Sequence, residues 1–154
     1  MIFRRSKYLK DTDGAVAVEG AILFPMLALI GYGIIDLSMM LLQTHKMEQG
    51  LVAGASYLAR SQTPTLLTSQ AKNIAISGRP DGSGTPRVSG WSDSEISLTI
   101  RNVNNNGQYR DGAVVQVAEF TSAHPYQGLG FIKLASGGRV TIRTDHEERL
   151  VGAR

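Results

Sequence analysis

The chain is 154 residues long, carries a net charge of +3, and is 42% hydrophobic but only 19% charged. At roughly 100–200 residues per domain this allows one globular domain at most, and the composition excludes both a disordered polyelectrolyte and a polytopic membrane protein. There is no cysteine, which rules out a disulfide framework, a thiolate zinc site, an iron–sulfur cluster and a cysteine nucleophile. The basic residues are dispersed rather than gathered on one face, so no nucleic-acid partner is expected.

Residues 1–14 form a basic leader, with Arg4, Arg5, Lys7 and Lys10 against Asp11 and Asp13. Residues 15–42 follow as AVAVEGAILFPMLALIGYGIIDLSMMLL, and Gly20 to Ile35 carry no charge at all. As a helix this stretch would run about 42 Å, longer than the ~30 Å hydrocarbon core of a bilayer. It therefore reads as a membrane span that projects beyond the lipid. The Lys/Arg-rich leader places the N-terminus in the cytoplasm and residues 43–154 outside. A secretory signal peptide has a shorter apolar core and a small-residue cleavage site directly after it, so simple signal cleavage is not the expectation.

Two carboxylates interrupt the apolar run, Glu19 near its inner end and Asp36 near its outer end. An ionised side chain near a bilayer centre costs about 2.5–3.5 kcal/mol. Either each carboxylate lies at an interface, or each pairs with a cation when the helix joins others. At 100° per residue the two sit about 100° apart around the helix, so they do not share one site. Pro25, with Gly31 and Gly33 behind it, suggests a bend or local unwinding between Leu23 and Gly33, although Pro and Gly are also ordinary constituents of membrane helices.

The segment Gly14-Ala15-Val16-Ala17-Val18-Glu19, entered from a basic leader and followed by an apolar helix, resembles a type IV prepilin-type processing site. The longer pattern is similar to the TadE-like family of minor pseudopilins of the tight-adherence (Flp) pilus system. Gly14, Glu19, Pro25, Asp36 and the small-residue run Ala53–Ala59 carry the resemblance, and the tail Val140–Leu150 is similar to the closing strand of such proteins. Gly20 departs from the pattern, since an aromatic residue commonly follows the Glu.

The resemblance implies a prepilin peptidase that cuts between Gly14 and Ala15, and a Glu19 that pairs with the freed amine of a neighbouring subunit. Pro25 and Asp36 are the other assembly residues it implies. The implied partners are the inner membrane, the peptidase, other pilin and pseudopilin subunits and the assembly platform. The implied location is the bacterial inner membrane, single-pass, with a periplasmic domain that can enter the pilus. The alternative is an unprocessed single-pass accessory protein with an extracytoplasmic binding domain.

Beyond Leu42 the pattern turns amphipathic. Met47, Leu51, Ala55 and Leu58 form one apolar stripe, so the helix is expected to continue to about Gln62. Thr63-Pro64 opens a second helix over 65–77, and Gly78 closes it. Residues 78–90, GRPDGSGTPRVSG, are a loop. Strands are expected over 95–103, 113–121 and 139–146, with a turn at Asn104-Asn105-Asn106-Gly107 and a loop over 124–130.

The fold class is thus α+β: a long N-terminal transmembrane and amphipathic helix packed on a small antiparallel sheet, pilin-like. So small a sheet needs the helix for the other half of its core.

No catalytic set is complete, so no enzyme, cofactor or metal is expected. Ser69 and Lys72 match S-x-x-K but lack the downstream elements of that chemistry. Asp81-Gly-Ser-Gly lacks the further carboxylates of a calcium loop, which leaves calcium in the 78–90 loop an open question. His45, His124 and His146 are scattered, as surface or cap residues usually are, and Trp91 is expected to pack over the sheet, with a binding aromatic beside the Gly-rich loop as the alternative.

Overall fold

The computed structural model describes residues 12–108 and 114–151. Residues 1–11 of the basic leader and Ala113, the expected first residue of the second strand, lie outside the described residues. One helix, α1 (Thr12–Ala59), forms a rod of 48 residues, about 72 Å long at 1.5 Å rise per residue. It is long and apolar enough to cross a membrane. The helix runs unbroken through Pro25, so the unwinding suggested for Leu23–Gly33 does not occur. It ends at Ala59 rather than Gln62, where Ser61 closes a tight turn onto the Leu58 carbonyl. Thr63, preceding a proline, is biased out of helical geometry.

The expected second helix begins as a 3-10 turn at Pro64–Leu66 and becomes α-helical only over α2 (Thr68–Ser77). No side chain caps the first turn, while Gly78, at φ +78°, terminates α2 in the left-handed conformation expected of it.

Three strands follow: β1 (Ile96–Asn104), β2 (Val114–Pro125) and β3 (Thr141–Arg149), in the order β1-β2-β3, all antiparallel. Val103 faces Val115 across the first pair, and Phe120 faces His146 across the second. β2 extends through His124 and Pro125, which were expected in a loop. Proline is tolerated there as the last residue of its strand, where a ladder donor is least needed. A five-residue helix, α3 (Phe131–Ala135), lies between β2 and β3.

The predicted stripe is the core. Met47, Leu51, Ala55 and Leu58 are fully buried, against Ala71 and Ala75 of α2 and against Trp91, Phe120 and Ile142. Gly50 and Gly54 let α2 approach closely. A Cβ at Gly54 would stand 2.7 Å from the Ala71 carbonyl oxygen, and one at Gly50 would strike the Ala75 carbonyl oxygen and lie 3.0 Å from the Trp91 ring. Trp91 packs as expected, donating its indole N–H to the Ser122 hydroxyl at 2.9 Å. The outer sheet face is polar, with Arg101 bridging Glu119 of β2 and Glu147 of β3. At the far end Val151 donates to the Ala59 carbonyl, tying the tail to the end of α1.

Candidate functional site: the free rod and the Asp36 socket

The rod divides into two stretches. From position 14 to position 30 every side chain of α1 is exposed, and the run is apolar apart from Glu19. Gly14 and Ala15 lie at its start within the helix, and a Cβ at Gly14 would meet nothing within 4 Å. Glu19 is exposed one turn further on, and Pro25 lies in the middle of the free stretch. Gly14, Ala15, Glu19 and Pro25 therefore share one unpartnered rod.

Asp36 stands apart from them. Its axial distance from Glu19 is about 26 Å, and it is fully buried at 0% exposure. The residues that bury it come from the connection after β2. The Tyr126 hydroxyl donates to Oδ1 at 2.5 Å, and the same hydroxyl lies 2.6 Å from the Asp36 backbone carbonyl. The Leu129 amide donates to Oδ1 and the Ile132 amide to Oδ2, each at 2.8 Å. Both oxygens face donors, as suits a carboxylate that accepts only. These donors are neutral and belong to the same chain, whereas the sequence offered an interfacial carboxylate or a cation-paired one.

The surrounding contacts extend this clasp in both directions. Tyr32 donates its hydroxyl to the Leu129 carbonyl at 2.6 Å, and Gln43 donates to the Gln127 carbonyl at 2.8 Å. Phe131 meets the Tyr32 ring edge-on, at 6.2 Å between centroids. Its ring lies over Gly33, where a Cβ would come within 2.7 Å of it. At Gly128 a Cβ would collide with Tyr126 and with the Asp36 carboxylate. The packed domain thus begins on the rod at Tyr32 rather than after Leu42.

Burial, and then the Asp36 carboxylate, push the Tyr126 phenol well above its ordinary range. A raised folded-state value means that the folded chain holds this proton more tightly than the unfolded one. The resulting stability is complete below the unfolded phenol value of about 10 and is lost as pH rises past it. In an alkaline titration followed by Trp91 emission, stability should fall from about pH 10 upward, and Tyr126→Phe should flatten that fall. An identical slope in the variant would remove Tyr126 from the linkage.

The remaining sequence candidates separate. Lys72 points to Asp93, with its amine 3.4 Å from the carboxylate, so it is engaged away from Ser69. Asp81 accepts the Ser83 amide at 3.0 Å and the Ser83 hydroxyl at 2.9 Å, and these bonds hold its carboxyl below the usual range. Among the described residues no group of three or more His, Asp or Glu could hold a metal ion. His45 and His146 sit near Glu48 and Glu148 at the surface or half-buried. His124 departs from the surface expectation: it is buried in β2, with Nδ1 2.9 Å from Glu95.

Asp36 stands out in the sequence, whereas its partners Tyr126, Gly128, Leu129 and Ile132 do not. The one local signal was Gly128, a residue type that permits close approach of backbone to a neighbour.

A model of the TadE-like protein family matches residues 14–56. The chain carries a TadE-like segment. That segment begins at Gly14, contains Glu19, Pro25 and Asp36, and ends within the small-residue run that packs on α2. Neither curated proteins nor solved structures yield a match.

Proposed function

We propose that the chain is a minor pseudopilin or pilus-assembly subunit of a tight-adherence pilus. In this reading it is a structural protein rather than an enzyme. It is held in the bacterial inner membrane with its N-terminus cytoplasmic and its α+β domain periplasmic. A prepilin peptidase cuts it between Gly14 and Ala15, and it joins other pilin and pseudopilin subunits on the assembly platform.

The observation that carries this reading is the free stretch of α1. A rod that leaves every side chain from 14 to 30 exposed, nearly all of them apolar, needs lipid or other rods around it. Glu19 is the one acid on that stretch. Exchanging lipid for sister helices would strand it unless it met a cation, and cleavage before Ala15 creates one, the new α-amine. The pair acts as a register between subunits more than as a source of stability. Asp36 serves assembly indirectly, by fixing the domain to the rod.

N-terminal sequencing of the protein from its own membrane should begin at Ala15, and Gly14→Leu should leave Met1 in place. Glu19→Ala should still be cut but should enter pili more than about tenfold less well, since breaking a buried ion pair costs ~3–5 kcal/mol. Gly20, in the place of an aromatic residue, favours the second reading, an unprocessed accessory protein. Met1 retained in the native protein, with normal piliation by Gly14→Leu, would establish that reading in place of the first.

A further inference from the structure

The clasp around Asp36 lies at a depth that α1 itself fixes. If the hydrocarbon begins between Ala15 and Glu19, ~30 Å of it ends at about position 35 to 39 of the rod. Asp36 falls inside that window. So does the domain base, since Leu129 and Phe131 pack on Tyr32 and Gly33, one turn lower. The base cannot stand clear of the bilayer unless the charged leader or Glu19 is drawn into the lipid.

Its chemistry suits that depth. Leu134 is 81% exposed and Leu129 is 47% exposed, and Ile34, Ile35 and Leu37 of α1 are exposed at the level of the rod where this segment is fastened. Backbone polar groups facing the rod are satisfied by it: the Gln127 and Leu129 carbonyls by Gln43 and Tyr32, the Leu129 and Ile132 amides by Asp36. Irregular backbone is tolerated at membrane depth only where it is satisfied in this way. Lys133 and Arg139 line a concavity beside Tyr126, within reach of a headgroup phosphate.

We propose that the segment from Gln127 to Arg139 is a membrane-interface anchor, which seats Leu129 and Leu134 among the headgroup-proximal acyl carbons of the outer leaflet and presents Lys133 and Arg139 to the lipid phosphates. The anchor fixes how deep the subunit stands and how its domain is turned before it leaves the bilayer. It rests on the reading of α1 as a membrane span.

The chain has no cysteine, so single reporters can be placed without background. Leu134→Cys, Leu27→Cys and Ser83→Cys would each be labelled with an environment-sensitive fluorophore. The full chain would be reconstituted in phosphatidylethanolamine–phosphatidylglycerol vesicles carrying nitroxide lipids, with the quencher near the headgroup or near the chain end. Leu134 and Ser83 are both exposed, so neither label should perturb the fold.

The label at 134 should be quenched by the shallow nitroxide at least ~2-fold more than the label at 83, as for an interfacial segment, while that at 27 responds to the deep one. Position 134 behaving like 83 while 27 is quenched would overturn the anchor and leave the span standing. No quenching at 27 would overturn the span, and the anchor with it.

Discussion

Replacing Asp36 by leucine should detach the 126–135 connection from the rod while leaving the sheet and α2 folded. Leucine keeps the branched shape of aspartate with larger methyls in place of the oxygens, so no cavity forms. Tyr126 keeps an acceptor, the backbone carbonyl of residue 36. The Leu129 and Ile132 amides keep none. A buried donor left unpaired costs about 1–3 kcal/mol, so two of them should destabilise the clasp by about 2–6 kcal/mol. Hydrogen exchange at Leu129 and Ile132 in the detergent-solubilised chain is the direct readout. Each 1.4 kcal/mol is about tenfold in opening, so both amides should exchange at least about tenfold faster. Asp36→Asn retains one acceptor oxygen and should fall between. Unchanged exchange in Asp36→Leu would mean that the carboxylate does not hold the connection in place.

Gly50→Ala tests the other joint, with the opposite sign expected from helix propensity. In an exposed helix Gly→Ala stabilises by about 0.8–1 kcal/mol. At Gly50 the added methyl would strike the Ala75 carbonyl oxygen and press the Trp91 ring, and the backbone atom cannot swing away as a side chain could. α2 must then shift, loosening the burial of Ala71, Ala75, Met47 and Leu51. Overpacking typically costs about 1–3 kcal/mol, which outweighs the propensity gain. The urea midpoint should therefore fall, read by emission of Trp91, the only tryptophan in the chain. Gly31→Ala, where a Cβ meets nothing within 4 Å, should not lower that midpoint. A raised midpoint in Gly50→Ala would mean that α1 and α2 are less tightly apposed than their backbones indicate.

Both joints depend on contacts that join distant parts of the chain, yet one was far more legible than the other. The helical stripe Met47-Leu51-Ala55-Leu58 was written in the spacing of apolar residues, because a helix repeats every 3.6 residues and its buried face must follow that period. The strand alternation at Ile96, Leu98 and Ile100 was equally local. Gly14, Glu19 and the uncharged run between Gly20 and Ile35 needed only adjacency.

The Asp36 socket had no such period. Its donors lie 90 to 96 positions away, and two of them are backbone amides, which every residue but proline possesses and no sequence pattern advertises. α3, at five residues, is too short to show a helical repeat. Pro125 makes His124 read as the start of a loop, yet pairing with β3 draws both residues into β2.

By itself the sequence determined the rod, its apolar face, the strands and the Gly14–Glu19 entry, since each is a local or periodic property of the chain. Only the tertiary structure decided where the domain grips the rod. A buried carboxylate must find donors, and which distant backbone supplies them is settled by how β2 delivers Tyr126, Leu129 and Ile132 to the face of α1.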